Sequence, residues 1–287
     1  LAFRKKPFIA IIHIELLPFL SFIGELILKI RGVKYIIDID DAVYHRFNNK
    51  NFFLKKIIHF KFNKIIQYSE TLFAGNKYHV NYFKMFSNES IYMPTVIDPY
   101  IYKKNRSLEK FENITLVWIG SPSTSFYLNI ISDVLNKIKR EFNVDILVIG
   151  IGNNKINLNN YIKEDWSSKN EINLLSKSHI GIMPLEDDLW SQGKCGFKIL
   201  QYMGAGIPVV ASPIGVNKEI IKDGRSGYLA ANDFEWYSKL KNLIFDKDLR
   251  NKFSIEGYKT LKENYNIKKE EIKFINHINK INKKISK

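Results

Sequence analysis

Two lysines, Lys194 and Lys198, stand four positions apart where a glycine-containing loop turns into a helix. The stretch GKCGFKILQYMGAGIPVVASPIGVNKEIIKDGRSGYL, residues 193–229, reads as loop, short helix, glycine stop, buried strand, loop, second helix and tight turn. Phe197, Ile199, Leu200 and Met203 supply an apolar helical face, and Gly204 and Gly206 end the helix ahead of a short strand at 208–212. A helix N-terminus offers N–H groups without acceptors and the positive end of a dipole, so two lysines there make a cradle for a diphosphate.

Such groups need a scaffold. FIAIIHI, KYIIDI and a strand near KIIQYSETLFAGN come first, with an apolar helix over 16–30 between the first two. ITLVWIG, VDILVIG, HIGIMPL, IPVVAS and GYLAA follow, separated by helical stretches. Continuous apolar strands between helices predict an α/β chain with parallel sheets covered on both faces. The Pro-containing, charged stretch MPTVIDPYIYKKNRS suits a hinge between two sheets. Ligands of such sheets bind beyond the carboxyl ends of strands. Ser121, Pro122, Ser123 and Thr124, directly after ITLVWIG, therefore offer N–H and hydroxyl donors to phosphate, or else an N-capping turn. After Asn266, Ile267, Ile272, Ile275, Ile278, Ile281 and Ile285 recur at mostly helical spacing and predict a packed terminal helix.

At 287 residues, with 45% hydrophobic and 14% aromatic content, the chain can fill two ordinary cores. Its net charge of +15, from 44 Lys+Arg against 29 Asp+Glu, is carried mainly by lysine mixed with Asn and Ile. Arginine-rich or aromatic-interleaved patches of a nucleic-acid surface are not evident, so no nucleic-acid partner is expected. NNKNFFLKKIIHFKFNK, residues 48–64, differs: bulky apolar residues interleave with lysines, a pattern suited to peripheral contact with an anionic bilayer. Cys195 is the only cysteine, which excludes an internal disulfide, fits a reducing cytoplasm and, without evident His–Asp support, reads as a packing residue. The apolar run from Phe8 to Ile30 is interrupted by His13, Glu15, Pro18 and Glu25, so neither a spanning helix nor a signal peptide is expected. Because the chain enters a strand almost at once after Leu1, opening βα units of its first domain are expected to be missing from it.

The 193–229 segment resembles the nucleotide-sugar-binding half of the group-1 retaining glycosyltransferases, a family of the GT-B fold. LVWIGSPST at 116–124, the Trp166 segment leading into EINLLSKSHIGIMPLEDD, and the DFEWYSKLKNLIFDKDLRNKFSIEGYKTLKENYN tail agree in order. IIDIDDAVY, LFAGNKYHV and MPTVID resemble the end of that family's first domain. The resemblance implies two Rossmann-like domains whose parallel sheets face a central cleft, the first one incomplete. Residues 1–98 would form the acceptor side, 99–265 the donor-binding domain, and 266–287 a helix crossing back to the first. It further implies a retaining, metal-independent hexosyltransferase that uses a nucleotide-diphosphate sugar as co-substrate, with no other cofactor. A glycan or lipid-linked acceptor, in surface polysaccharide or lipopolysaccharide synthesis at the cytoplasmic face of the membrane, completes that expectation.

On the same ground Gly120, Ser121, Ser123, Lys194, Gly196, Lys198, Gln201, Gly215, Asn217 and Glu219 would bind the donor. Ile214, Gly215, Val216 and Asn217 would present backbone N–H groups to phosphate or sugar, Gly215 because close backbone approach needs a missing side chain. Glu15, Asp187 and Lys198 would serve the chemistry, with His13 two positions before Glu15 and so on the same face of its strand. His13, Asp40, Asp41 and Asn76 would line the acceptor side, the two aspartates lacking a third ligand for a metal. Two departures stand out: no basic residue follows ITLVWIG, and the family's two glutamates, eight positions apart, fall on Gly193 and Gln201. Gln201 could still reach a ribose hydroxyl, Asp187 or Asp188 could replace the lost carboxylate, and Glu219 is equally a first-turn dipole partner. A non-catalytic relative that binds a nucleotide sugar or a partner is the alternative. A dinucleotide oxidoreductase is not supported, since no G-x-G-x-x-G follows a strand and opens a helix.

Overall fold

The computed structural model describes residues 8–18, 20–45 and 52–285, so residues 48–51 of the basic apolar segment lie outside it, as does the side chain of Ile285. In chain order the elements are β1 (Ile9–His13), α1 (Ile23–Ile30), β2 (Lys34–Ile39), α2 (Phe52–Tyr68), β3 (Thr71–Ala74), α3 (Lys77–Phe83) and β4 (Ser90–Tyr92). Then come α4 (Pro99–Asn105), β5 (Ile114–Ile119), α5 (Ser132–Glu141), β6 (Val144–Ile149), β7 (Ile162–Glu164), α6 (Glu171–Lys177) and β8 (Ile180–Met183). The rest comprises α7 (Leu189–Gln192), α8 (Phe197–Ala205), β9 (Val209–Ala211), α9 (Asn217–Ile220), β10 (Tyr228–Leu229), α10 (Asp233–Phe245), α11 (Lys247–Asn264) and α12 (Ile267–Ile285). Two compact units result: Leu1–Thr95 with Asp188–Cys195 and Lys268–Lys287, and Val96–Asp187 with Gly196–Ile267. Among the described residues no helix is long and apolar enough to cross a membrane.

The first unit holds a four-stranded sheet in the order β1-β2-β3-β4, all pairs parallel. Sequence reading expected three strands here; the short β4 is added by pairing Leu72 with Ser90 and Ala74 with Tyr92. The expected helix over 16–30 forms only from Ile23, because the Leu16 amide donates to Glu25 Oε1 at 2.7 Å and Pro18 has no N–H to give a helical ladder. In α12 only part of the expected isoleucine stripe is packed. Ile281 is buried and Phe274 and Ile278 pack with it against Ile36 and Phe73, while Ile272 and Ile275 are exposed. His277 Nε2 meets the Thr71 hydroxyl at 2.9 Å, and that bonded pair fixes the helix on β3 where a smooth apolar seam would have left its register open.

The second unit is a six-stranded sheet in the order β10-β9-β8-β5-β6-β7, again wholly parallel. Its edge strand β7 is three exposed residues long and carries no apolar run, so periodicity could not announce it. Val117 and Ile119 face the layer containing α8 and α11; Leu116 and Trp118 face that containing α5 and α10. Strand order reverses between β5 and β8, which pair only through Leu116–Ile180 and Val117–Gly181. Past that point the strands diverge, and the Tyr202 hydroxyl fills the gap by donating to Ile182 O at 3.0 Å and accepting from Ile119 N at 3.2 Å. The ring lies on bare backbone: a Cβ at Gly181 would come 2.4 Å from its Cγ.

Because Tyr202 is wholly buried and has no room to retreat, Gly181→Ala should destabilise the second unit by about 1–3 kcal/mol. A denaturant titration giving a lower midpoint at unchanged slope checks this; an unmoved midpoint would show that α8 shifts to accept a methyl group.

Candidate functional site

At the reversal of strand order, loops diverge from the carboxyl ends of β5 and β8, where open α/β sheets take their ligands. Helix α8 starts here. Gly196, at φ +73°, turns the chain into it with a left-handed step, and a Cβ there would lie 2.3 Å from Ile220 Cδ1. Among the described residues the Phe197 amide, first in the helix, meets no acceptor, and the N-cap glycine has no side chain, so this end can receive an anion. Lys198 Nζ stands 5.2 Å from the centre of the Trp118 ring, beside Gly120 at the end of β5. The loop after β9 adds the amides of Gly215 and Val216, neither of which donates to another group among the described residues, while the Asn217 amide is spent on Ile214 O.

Several expected donor residues are committed elsewhere. Gly120 N donates to Ile149 O, continuing the β5–β6 pairing, and Ser121 N donates to Thr124 Oγ1 in the cap of the 3-10 turn of residues 122–131, so both amides are engaged within the protein. What remains there are the hydroxyls of Ser121 and Ser123, 2.9 Å apart and exposed. Asn217 is buried with Nδ2 on Ser212 O at 3.0 Å, so its side chain braces the loop. Gln201 is 3% exposed, turned into the protein beside the Tyr102 phenol. Glu219 is exposed on the four-residue α9. Asp187 lines a pocket of about 290 Å³ with Ser212, Ile214, Asn232, Asp233 and Trp236, whereas Asp188 caps α7 by accepting from Ser191 N at 2.7 Å.

Gln201 lies beside a hydrogen-bonded relay that sequence reading missed. Tyr102 passes its proton bond to Glu171 Oε1 at 2.6 Å, and Glu171 Oε2 accepts from the indole Nε1 of Trp166 at 2.8 Å. Burial raises the Tyr102 phenol far above its ordinary range, so it stays a donor. Trp166, just past β7 and next to the backbone of Gly150, is 53% exposed yet held by its N–H. The signal available in sequence was a tryptophan five residues ahead of a helix-opening glutamate, too common a pairing to single out.

The remaining expected residues gather in the first unit. His13 and Glu15 do not share a face: Ile14 sits at φ +64° and breaks the pleat, sending His13 Nε2 to Asp40 at 3.3 Å and Glu15 into an ion pair with Lys61. Asp38, between them in the sheet, has its carboxyl raised above the ordinary range, chiefly by burial. Asn76 is also used up. Its Oδ1 caps α3 through His79 N and its Nδ2 holds the carbonyls of Gln192 and Lys194 at 3.3 and 2.9 Å, so it is a brace and not an acceptor contact. Lys194 Nζ lies 3.9 Å from Asp41 Oδ1, within this unit and not with Lys198. Cys195 donates to Asp40 O at 2.9 Å, and burial raises its thiol well above the ordinary range, as befits a packing residue. Among the described residues no group of three or more His, Cys, Asp or Glu is placed to hold a metal ion.

Residues 113–246 match the family model "Glycosyl transferases group 1". This segment is a group 1 glycosyltransferase domain. It carries the whole sheet, the α8 N-terminus, Lys198 and Trp166. No curated protein matches the chain by sequence. Solved GT-B structures do match by fold. HepE (Alr3699) of Anabaena, determined with UDP-glucose, superposes with a TM-score of 0.72 over 90% of this chain and 75% of its own, at 12% identity. A glycosyltransferase of Rickettsia africae gives 0.68 over 95% and 76%, at 16% identity. Sucrose-phosphate synthase of Thermosynechococcus elongatus gives 0.65 over 94% and 73%, at 8% identity. The chain thus has the GT-B class of fold, built on two parallel sheets.

Geometry also explains the glycine at 193. A Cβ there would come 2.3 Å from Ala42 Cβ and 3.1 Å from His79 Cε1, so the family's first glutamate has no room. Gly193→Glu should therefore lower the melting temperature, by an amount corresponding to about 1–3 kcal/mol, and Ala42→Gly in the same chain should recover part of the loss. A stable single variant would mean that the 188–195 segment adjusts.

Proposed function

We propose that the chain is a retaining glycosyltransferase that takes a nucleotide-diphosphate sugar as donor in its second unit and a glycan or lipid-linked acceptor. The observation that carries this reading is the open N-terminus of α8 with Lys198 beside it, at the point where strand order reverses. As the nucleotide diphosphate departs, negative charge grows on its leaving oxygen, and Lys198 with the helix N-terminus is our choice to stabilise it. Gly215 and Val216 add N–H donors for the phosphates. Asp187 is assigned to the developing positive charge on the sugar in preference to Glu15, whose carboxylate is ion-paired to buried Lys61. The leaving phosphate takes the acceptor's proton, so the chain need supply no separate base. A cation and a helix dipole already meet the diphosphate, so the reaction is proposed to be metal-independent. Trp166 offers its ring to the nucleobase, and the nucleotide bound by HepE in its UDP-glucose structure supports a donor of that class.

Calorimetric titration of nucleoside diphosphates in chelator tests the binding half. Lys198→Ala should weaken affinity by roughly 1.5–3 kcal/mol, the worth of a charge-assisted contact. Trp166→Ala should cost about 1–3 kcal/mol for lost base stacking. Unchanged affinity would remove the residue concerned from the site, and a need for added magnesium or manganese would overturn metal independence.

Transfer itself is checked by incubating the chain with nucleotide sugars and glycan or lipid-linked acceptors and reading the anomeric configuration of the product by NMR. Retention is expected. Donor binding without transfer or donor hydrolysis would favour a non-catalytic sugar-nucleotide-binding relative, the reading that the missing glutamate pair suggests.

A further inference from the structure

Between Asp41 and Glu70 the sequence contains six basic residues and no acidic one. Most of that stretch is α2, which combines two features a solvated helix would not. Its outward side is apolar: Phe53, Ile57 and Phe60, spaced i, i+4, i+7, are all exposed, Phe53 at 70%, and Phe52 and Leu54 at the helix start are exposed too. Its charged groups are lysines, with Lys56 Nζ 4.5 Å from the Phe52 ring and Lys64 Nζ 5.7 Å from the Phe60 ring. The ammonium groups thus lie over the faces of exposed aromatic rings, cation and apolar surface side by side on the same helix.

The neighbouring helix repeats the pattern. On α1, Ile23, Ile27 and Ile30 are again spaced i, i+4, i+7 and exposed, Ile30 at 74%. The one acid of α1, Glu25, is buried under the helix with its Oε1 on Leu16 N, so it adds no charge to the outer face. The two helices are locked together: Phe22 stacks edge-on with Phe60 and Tyr68, Lys29 Nζ lies 3.9 Å from the Tyr68 ring, and Lys61 bonds both Glu15 and the Leu17 carbonyl. The result is one rigid patch in the first unit, two apolar stripes side by side with lysines around them.

We propose that the α1–α2 face is a docking surface for an anionic lipid bilayer. An apolar protein partner would be served by the two stripes alone. The charge argues for phospholipid, because the cationic groups border the stripes without an exposed acid on either helix to pair them across a protein interface. The aromatic side chains enter the headgroup–acyl boundary, and the lysines reach the phosphates. This surface does not depend on the transfer reading, since it is built wholly from the first unit.

The test is co-sedimentation with vesicles of phosphatidylcholine, with and without phosphatidylglycerol. Binding to the anionic vesicles alone, abolished by raised salt, is expected. Phe52→Ser/Phe53→Ser and, separately, Lys55→Ser/Lys56→Ser should each reduce partition, the lysine pair on the order of 30-fold, given the worth of a basic residue at an anionic surface. Melting temperature and affinity for UDP should stay at wild-type values in both, which separates loss of the surface from loss of the fold or of the nucleotide site. In F53W, a blue shift of emission on anionic vesicles would place α2 in the interface. Vesicle binding that survives all of these substitutions, or a concentration-dependent dimer that they dissociate in the absence of any vesicle binding, would overturn the proposal.

Discussion

The hydroxyl of Tyr202 holds apart the two strands between which the second unit opens. Once β5 and β8 stop pairing, Ile119 N and Ile182 O are buried and would each lack a partner; one phenol satisfies both. Leaving either unpaired would cost about 1–3 kcal/mol. The ring can reach that position only because Gly181 puts no side chain beneath it. Helix α8 is thereby fixed in rotation and height, and its first turn, with Gly196 and Lys198, is delivered to the strand ends. The proposed diphosphate cradle thus depends on a packing solution less than two turns of helix away.

A comparable economy governs the first unit, where groups that look reactive in sequence are spent on holding the chain together. Asn76 satisfies three backbone groups, two of them in the segment 188–195 that belongs to this unit and not to the one that surrounds it in sequence. Cys195 fits over Gly75, where a Cβ would come 2.4 Å from its Sγ, and Gly193 fits over Ala42. An excursion of eight residues carrying Lys194 is tied down by these contacts, which is why Lys194 and Lys198, so close in sequence, belong to different units.

What could be read from residues alone follows the same physics. Continuous apolar strands gave the parallel sheets of both units, because burial on both faces leaves an unmistakable pattern. Gly206 was legible as the stop of α8 because a left-handed helix end favours glycine, whereas Gly204, expected to share that role, lies inside the helix, and Lys194 lies before it. β7 was not, since an exposed edge strand of three residues needs no apolar side chain. The pairing of His13 with Glu15 failed because alternation assumes an unbroken pleat, and Ile14 breaks it. Gly120, Ser121 and Asn76 were placed by motif, yet motif position says nothing about whether an amide or a side chain has already been claimed by a neighbour. Only hydrogen-bond accounting over distant residues reveals that.

The neutral side chain at 201 illustrates how such accounting constrains chemistry. Tyr102 has one hydroxyl proton, given to Glu171 Oε1, and buried Gln201 lies beside the same phenol. A glutamate at 201 would place a second carboxylate, 3% exposed in the present packing, against the same phenol with no proton left for it. Two carboxylates sharing a buried site repel, and one of them would have to take up a proton. An amide avoids this because it carries no charge, so a neutral Gln201 suits the carboxylate of Glu171 on the same phenol. The carboxylate on this relay is therefore met at the start of α6, where its second oxygen is used to hold Trp166 by the indole N–H. A half-exposed tryptophan kept in one orientation keeps an aromatic platform at the strand ends at small entropic cost to a ligand that stacks on it.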